Sequence, residues 1–173
     1  MLLDIVKYPD PRLKLVCKPV NEITDDLRRL ADDMLETMYK APGVGLAAPQ
    51  VGRSIRMLVM DDATGDAPKN PRVLFNPVLE LSGDDVVSER EGCLSVPMDY
   101  RADVVRKSDV RLTAMGIDGE PIDERLTGFS AIIAQHETDH LDGILFIDRI
   151  SRLRRSLYDS RLRKWLKRRN QSA

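Results

Sequence analysis

Thr127-Gly128-Phe129-Ser130-Ala131-Ile132-Ile133-Ala134-Gln135-His136-Glu137-Thr138-Asp139-His140-Leu141-Asp142-Gly143 reads as one helix and its stop. Phe129, Ile132, Ile133, His136 and His140 recur on a single helical face, while Ala131 and Ala134 keep the other side small. Gly143 stands just past the end, where a left-handed residue closes a helix. Such a helix belongs in the interior. Two imidazoles four residues apart lie one turn from each other and can bind one metal ion. Glu137 sits beside them, where a carboxylate can take a proton from water. Both histidines of the chain are in this segment. A pair of hydrogen-bonded core histidines is the alternative reading, but two buried imidazoles lose hydration unless something is coordinated.

Around that helix the pattern is one of short strands. Arg56–Met60, Val73–Phe75, Val78–Leu81, Val104–Val105 and Val110–Ala114 are the candidates, separated by Gly, Pro, Asp and Asn. Asp118-Gly119 predicts a hairpin turn, and Ile144–Ile147 a short strand-like exit from the helix. Leu27, Leu30, Met34, Leu35 and Met38 predict an earlier helix from Asp25 to Tyr39, with Thr24 as its cap. Tyr8-Pro9-Asp10-Pro11 is a turn signal. Beyond Ile150, Leu153, Leu157, Leu162, Trp165 and Leu166 predict an amphipathic helix among basic residues. The expected fold is α+β: small antiparallel or mixed sheets packed around the buried helix, with the amphipathic helix last. Residues 1–148 would form the main unit, and 149–173 a basic helix appended to the same domain.

A chain of 173 residues suits one domain with its own core, and 42% hydrophobic with 32% charged residues excludes wholesale disorder. No apolar run approaches the roughly 18 residues that span a bilayer, so no membrane partner is expected. The amino-terminal segment lacks a basic region and a long apolar stretch, which predicts a cytoplasmic protein. Two cysteines, Cys17 and Cys93, are too few for a disulfide framework. The net charge of −1 conceals a division. Residues 149–173 hold ten Lys/Arg and one acid, Asp159, giving +9, while the rest carries 17 bases and 27 acids. A basic tail on an acidic body calls for an anionic partner.

Two imidazoles do not complete a metal site. Many metallopeptidases with this helix place a third His or Glu downstream; beyond His140 neither occurs, and the carboxylates left are Asp142, Asp148 and Asp159. Upstream stands Glu91-Gly92-Cys93-Leu94-Ser95-Val96-Pro97, and a thiolate is a good ligand for zinc or iron. Cys17 lies in a Val-Cys-Lys context and reads as a buried apolar residue. Gly43-Val44-Gly45-Leu46-Ala47-Ala48-Pro49-Gln50 is either an oxyanion-binding loop or a turn into the Arg56–Met60 strand.

Taken in order, the segments at 43–50, 91–95 and 135–143 resemble the peptide deformylase family, as does Tyr8-Pro9-Asp10-Pro11-Arg12-Leu13. That family carries Gly-x-Gly-x-Ala-Ala-x-Gln, Glu-Gly-Cys-Leu-Ser and Gln-His-Glu-x-Asp-His-Leu-x-Gly; Pro49 stands where Thr is frequent. The resemblance implies removal of the formyl group from the formyl-methionine of nascent polypeptides. It implies Cys93, His136 and His140 as metal ligands, with water or hydroxide in the fourth position. Glu137 would be general base and then acid, and Gln50 and the Leu94 N–H the oxyanion donors. Phe129, Ile132, Ile133 and Val44 would line the methionine pocket, with backbone contact along Gly43–Gly45. The metal implied is Fe(II); Zn(II), Ni(II) or Co(II) fit the same ligands. No role is assigned between Met98 and Arg106.

In this family a C-terminal helix is associated with docking on the ribosome, and +9 over residues 149–173 suits a phosphate-rich surface. A helix packed on its own domain is the other reading. Nothing demands more than a monomer. Two other functions share parts of the pattern: a metallopeptidase using the same helix, and a non-catalytic ribosome-associated factor with a structural metal. A structural site is normally closed by four protein ligands, whereas three and an aimed glutamate are visible here.

Overall fold

The computed structural model describes residues 1–171 and shows the α+β fold. Strands β1 (Gly45–Ala47), β2 (Met57–Met60), β3 (Arg72–Glu91), β4 (Ala102–Met115) and β5 (Pro121–Thr127) form one antiparallel sheet in sequence order. Helix α1 (Asp25–Lys40) precedes the sheet, α2 (Gly128–Leu141) follows β5 directly, and α3 (Arg152–Gln171) comes last. No helix among the described residues is long and apolar enough to cross a membrane.

Helix α1 forms where the apolar spacing predicts it. Thr24 accepts a hydrogen bond from the Leu27 N–H, and Asp25 and Asp26 face the positive end of the helix dipole. Leu30, Met34 and Met38 are buried together with Met57, Val59 and Phe75. The alternate residues Leu58, Met60 and Leu74 join Ala131, Ile133 and Ala134 of α2 in a second cluster. Alternation in β2 thus feeds two cores, one on each face, which is why all four of its residues are buried. A third cluster joins Val6 and Leu13 to Val96, Val104, Leu145–Ile147, Tyr158 and Leu162.

Several boundaries differ from the sequence expectation. Val73–Phe75 and Val78–Leu81 are parts of one 20-residue strand, and Val104–Val105 and Val110–Ala114 parts of another. The apparent separators in β3 are irregularities inside the strand. Register shifts against β4 fall between Phe75 and Val78, Ser82 and Asp85, and Ser88 and Glu91. Each contains a residue in the left-handed region: Asn76 (φ 51°), Gly83 (φ 73°) and Arg90 (φ 49°). Polar and glycine residues that read as turns here bend a continuous strand. Asn76 is held by its own amide, which exchanges two hydrogen bonds with the Val20 backbone (2.7 and 2.8 Å).

The expected strand at Ile144–Ile147 is instead a short 3-10 turn over Phe146–Asp148. Its apolar run signals burial, and burial alone does not distinguish a strand from a turn. The turn closes on itself, because the Leu145 N–H donates to Asp148 (2.8 Å). Helix α3 is present, but two of its expected buried residues point outward: Leu153 is 69% and Leu157 57% exposed. The buried stripe runs instead through Tyr158 and Leu162, flanked by partly buried Trp165 and Leu166. Tyr158 packs against Tyr100 at a ring-centroid distance of 4.4 Å, and Tyr8 donates to Asp159 (2.9 Å), tying the helix to the amino-terminal segment.

Helix α2 is buried on nearly all sides and carries Gln135, His136, Glu137, Asp139 and His140 inside. A helix with that many interior polar groups needs a partner for each. Gln135 finds its partners on the edge of β4 that β5 does not reach. Its amide accepts from the Lys107 N–H (3.0 Å) and donates to the Lys107 carbonyl (2.9 Å), acting as a substitute strand.

Candidate active site

Cys93, His136 and His140 come together, with one ligand atom of each lying within 4.8 Å of the others. Cys93 Sγ is 3.4 Å from His140 Nε2, and the two rings stand edge-on with centroids 5.1 Å apart. Helix α2 supplies the imidazoles one turn apart. The thiol comes from the turn after β3, which is closed by a hydrogen bond from the Val96 N–H to the Cys93 carbonyl (3.0 Å). The other cysteine, Cys17, is buried as expected, its thiol raised to about 11 by desolvation.

A buried ionic relay fixes His136. Glu91, the last residue of β3, meets His136 Nδ1 at 2.6 Å and also receives Arg106 (Nε to Oε2, 3.1 Å). Arg106 extends to Asp139 (2.8 Å), which is held in turn by Arg149 (2.6 Å). The Arg106 side chain is only 2% exposed. Desolvation alone would raise the Glu91 carboxyl, but His136 and Arg106 outweigh it and bring it down to about 2. Glu91 therefore stays ionised and occupies Nδ1, leaving Nε2 of His136 for a ligand. Burial opposes charging of either ring, yet the neighbouring Cys93 and Glu91 raise His136 well above its ordinary range. His140 is lowered by burial and by His136.

Glu137 lies against the start of β1. A Cβ at Gly45 would stand 2.6 Å from Glu137 Cγ, so only glycine admits the carboxylate there. Desolvation lifts the Glu137 carboxyl to about 7, and its Oε2 is buried with no partner among the described residues. Gln50 is buried on a 3-10 turn (Ala48–Val51). Its side-chain Oε1 accepts from the Ala47 N–H (2.8 Å), which directs Nε2 toward Ser95 Oγ (3.1 Å) and Cys93 Sγ (3.4 Å). The amino-terminal segment grips both turns. The Val6 N–H donates to the Gln50 carbonyl (2.7 Å), the Tyr8 N–H to the Ser95 carbonyl (2.8 Å), and Lys7 to the Leu94 carbonyl.

These groups open on a cavity of about 390 Å³. Val44, Gly45, Gln50, Cys93, Leu94, Phe129, Ile132, Ile133, His136 and Glu137 all line it, while His140 is buried behind. Ile133 is buried and Phe129 is 46% exposed, so the apolar wall runs from the interior to the rim.

A sequence profile of the family described as polypeptide deformylase matches residues 2–156. The chain belongs to the polypeptide deformylase family. Its sequence is 48% identical to a peptide deformylase of Alkalilimnicola ehrlichii, covering 94% of this chain and 90% of that one. A crystal structure of a peptide deformylase from Legionella pneumophila superposes with a TM-score of 0.88 at 39% identity, covering 98% of each chain. A Met-Ala-Ser-bound peptide deformylase from Acinetobacter baumannii matches with a TM-score of 0.81 at 42% identity, over 87% of this chain and 99% of that one. The protein is accordingly a hydrolase of a metal-dependent family that acts on formylated nascent peptides. Cys93, from upstream, stands beside the two rings and makes with them a group that could hold a metal ion.

The residues present fit a divalent cation. Bond lengths of about 2.3 Å to sulfur and 2.0–2.1 Å to nitrogen in a tetrahedron put the two ligand atoms about 3.5 Å apart. The Sγ to Nε2 separation here is 3.4 Å. One thiolate and two imidazoles suit borderline metals, and the unpartnered Glu137 Oε2 lies alongside. Glu91, Arg106 and Asp139 were not singled out by the motif, although Glu91 stands inside it. Replacing Glu91→Gln keeps the shape and removes the charge that orients His136. Metal affinity or activity is expected to fall about 10- to 100-fold. Metal titration and formate release would measure this, and parental values for both would show that the relay does not matter.

Proposed function

We propose that the protein removes the formyl group from the formyl-methionine of nascent polypeptides in the cytoplasm, releasing formate. The observation that carries this reading is the buried, unpartnered Glu137 Oε2 beside Cys93, His136 and the Gln50 amide at one end of an apolar cavity. Cys93, His136 and His140 would hold the metal, Fe(II) in the cell, with Zn(II), Ni(II) or Co(II) acceptable to the same donors. When bound, it would supply Lewis acidity, polarising the formyl oxygen and acidifying water. Glu137 takes a proton from the attacking water and returns it to the nitrogen as the C–N bond breaks. Gln50 Nε2 exchanges its long contact with Sγ for the developing oxyanion. The Leu94 N–H donates to the same oxygen, and one such donor is worth about 2.7–4 kcal/mol.

Val44, Ile132, Ile133 and Phe129 receive the methionine side chain, and Gly45 offers backbone to the peptide beyond it. Burying an apolar side chain in such a wall gains about 1.5–3 kcal/mol. Formyl-Met-Ala-Ser is therefore expected to exceed formyl-Asp-Ala-Ser about 10- to 100-fold in kcat/KM, read as formate release. Equal values would count against the pocket, and absence of formate from both would count against the reaction.

The exposed Arg152, Arg163, Lys164 and Lys167 of α3 lie away from its buried stripe and suit ribosomal phosphates. Co-sedimentation with ribosomes, compared between the full chain and a form lacking residues 151–173, tests this docking. Equal sedimentation of the two forms would remove the helix from the interaction. Cys93, His136 and His140 all come from one chain, which is compatible with the monomer proposed.

A further inference from the structure

Arg90 and Arg101 line the far wall of the catalytic cavity and also one end of a second groove of about 340 Å³. That groove runs onto α3 past Arg154 and Arg161. Spaced seven residues apart, these two lie on one face of the helix, bordering buried Tyr158 and opposite Arg152 and Arg163. Four carboxylates lie nearby. Glu91 belongs to the relay with Arg106 and His136, and exposed Glu89 stands on the cavity side. Asp99 pairs with Arg101 (2.9 Å), and Asp103 accepts the Arg90 N–H (2.9 Å). The guanidinium groups of Arg90, Arg154 and Arg161 have no partner among the described residues. Arg90 also holds a left-handed backbone (φ 49°) at the last bulge of β3, which redirects its side chain at the very point where cavity and groove meet.

We propose that this groove receives acidic side chains of the same polypeptide whose formylated end occupies the cavity. Arg90, Arg154 and Arg161 would thereby bias turnover toward nascent chains with acidic residues a short distance downstream. The inference rests on the deformylase reading above. A peptide is favoured over a nucleic acid because the groove continues the substrate cavity. In addition, the Tyr100 and Tyr158 rings at its floor pack on each other instead of offering a stacking surface. An extended chain advances about 3.3–3.6 Å per residue, so residues four to seven would reach beyond the cavity rim.

The test compares formyl-Met-Ala-Ala-Ser followed by three Asp, three Ser or three Lys. At low ionic strength the acidic peptide is expected to exceed the neutral one about threefold to tenfold in kcat/KM, mainly through KM, and the basic peptide to fall below it. Added salt should shrink the ratio. In the double variant Arg154→Ala/Arg161→Ala, both exposed positions, the ratio should approach one. Equal kcat/KM for the three peptides, or an undiminished ratio in the double variant, would overturn the proposal. So would a flat peptide series together with a 12-nucleotide single-stranded RNA bound by the parent and not by the double variant. Formyl-Met-Ala is too short to reach the groove, so formate release from it by the unaltered enzyme tests the deformylase reading separately.

Discussion

Glu137→Gln is expected to lower kcat for formate release about 10²- to 10⁴-fold while metal content stays at one ion per chain. The range is that of a positioned proton donor and acceptor. The substitution keeps the volume and leaves Cys93, His136 and His140 in place, so metal binding and the fold provide the controls. Nothing among the described residues engages Oε2, so no internal hydrogen bond is lost with the charge. The wall at Gly45 is tight, and Gln keeps nearly the outline of the carboxylate that fits there. Turnover within threefold of the parent would mean that the proton is moved by another group, and the assigned role would be wrong.

The second large effect concerns the thiolate. Cys93→Ala should bind metal at least about 100-fold more weakly and release formate only at background rate, since two imidazoles remain where three donors stood. A ligand present at 100 times its dissociation constant stabilises the folded state by about 2.7 kcal/mol. Losing it should lower Tm by about 5–10 °C relative to the metal-loaded parent. Stripping the parent with a chelator should reproduce both losses, and readdition of metal should restore them in the parent but not in the variant. Cys17→Ala is the matched control, because Cys17 is buried in the core cluster shared by β2 and α2 and is not part of the ligand triad. An unchanged metal content in Cys93→Ala would remove the sulfur from the site.

The grouping of the candidate site is legible because the residues proposed to react are carried by short, ordered segments. His136, Glu137 and His140 are tied by helical spacing, and Cys93 and Gln50 by their motifs. What holds those groups was not legible. Arg106 lies in a stretch with no recognisable pattern, and its pairing with Glu91 and Asp139 depends on β4 lying beside α2. No one-dimensional spacing encodes that proximity. The grip of Val6, Lys7 and Tyr8 on two distant turns is a tertiary fact of the same kind. The strands read as shorter pieces for a different reason. Asn76-Pro77 and Ser82-Gly83-Asp84-Asp85 have turn composition, and turn composition does not distinguish a chain that reverses from one that bends and continues. In α3 the apolar positions signal a helix, but Leu153 and Leu157 belong to a face that nothing among the described residues covers.

The three bends of β3 set a phase. Inward and outward positions alternate along any strand, and each slip at Asn76, Gly83 and Arg90 resets that count before the chain reaches Glu91. Removing a single residue between the second and third slips would leave the composition almost untouched. It would nonetheless advance the whole downstream segment by one place, offering His136 a neighbour of different charge. Lineages of this enzyme should therefore tolerate changes of side chain along this ribbon far more readily than changes in its length.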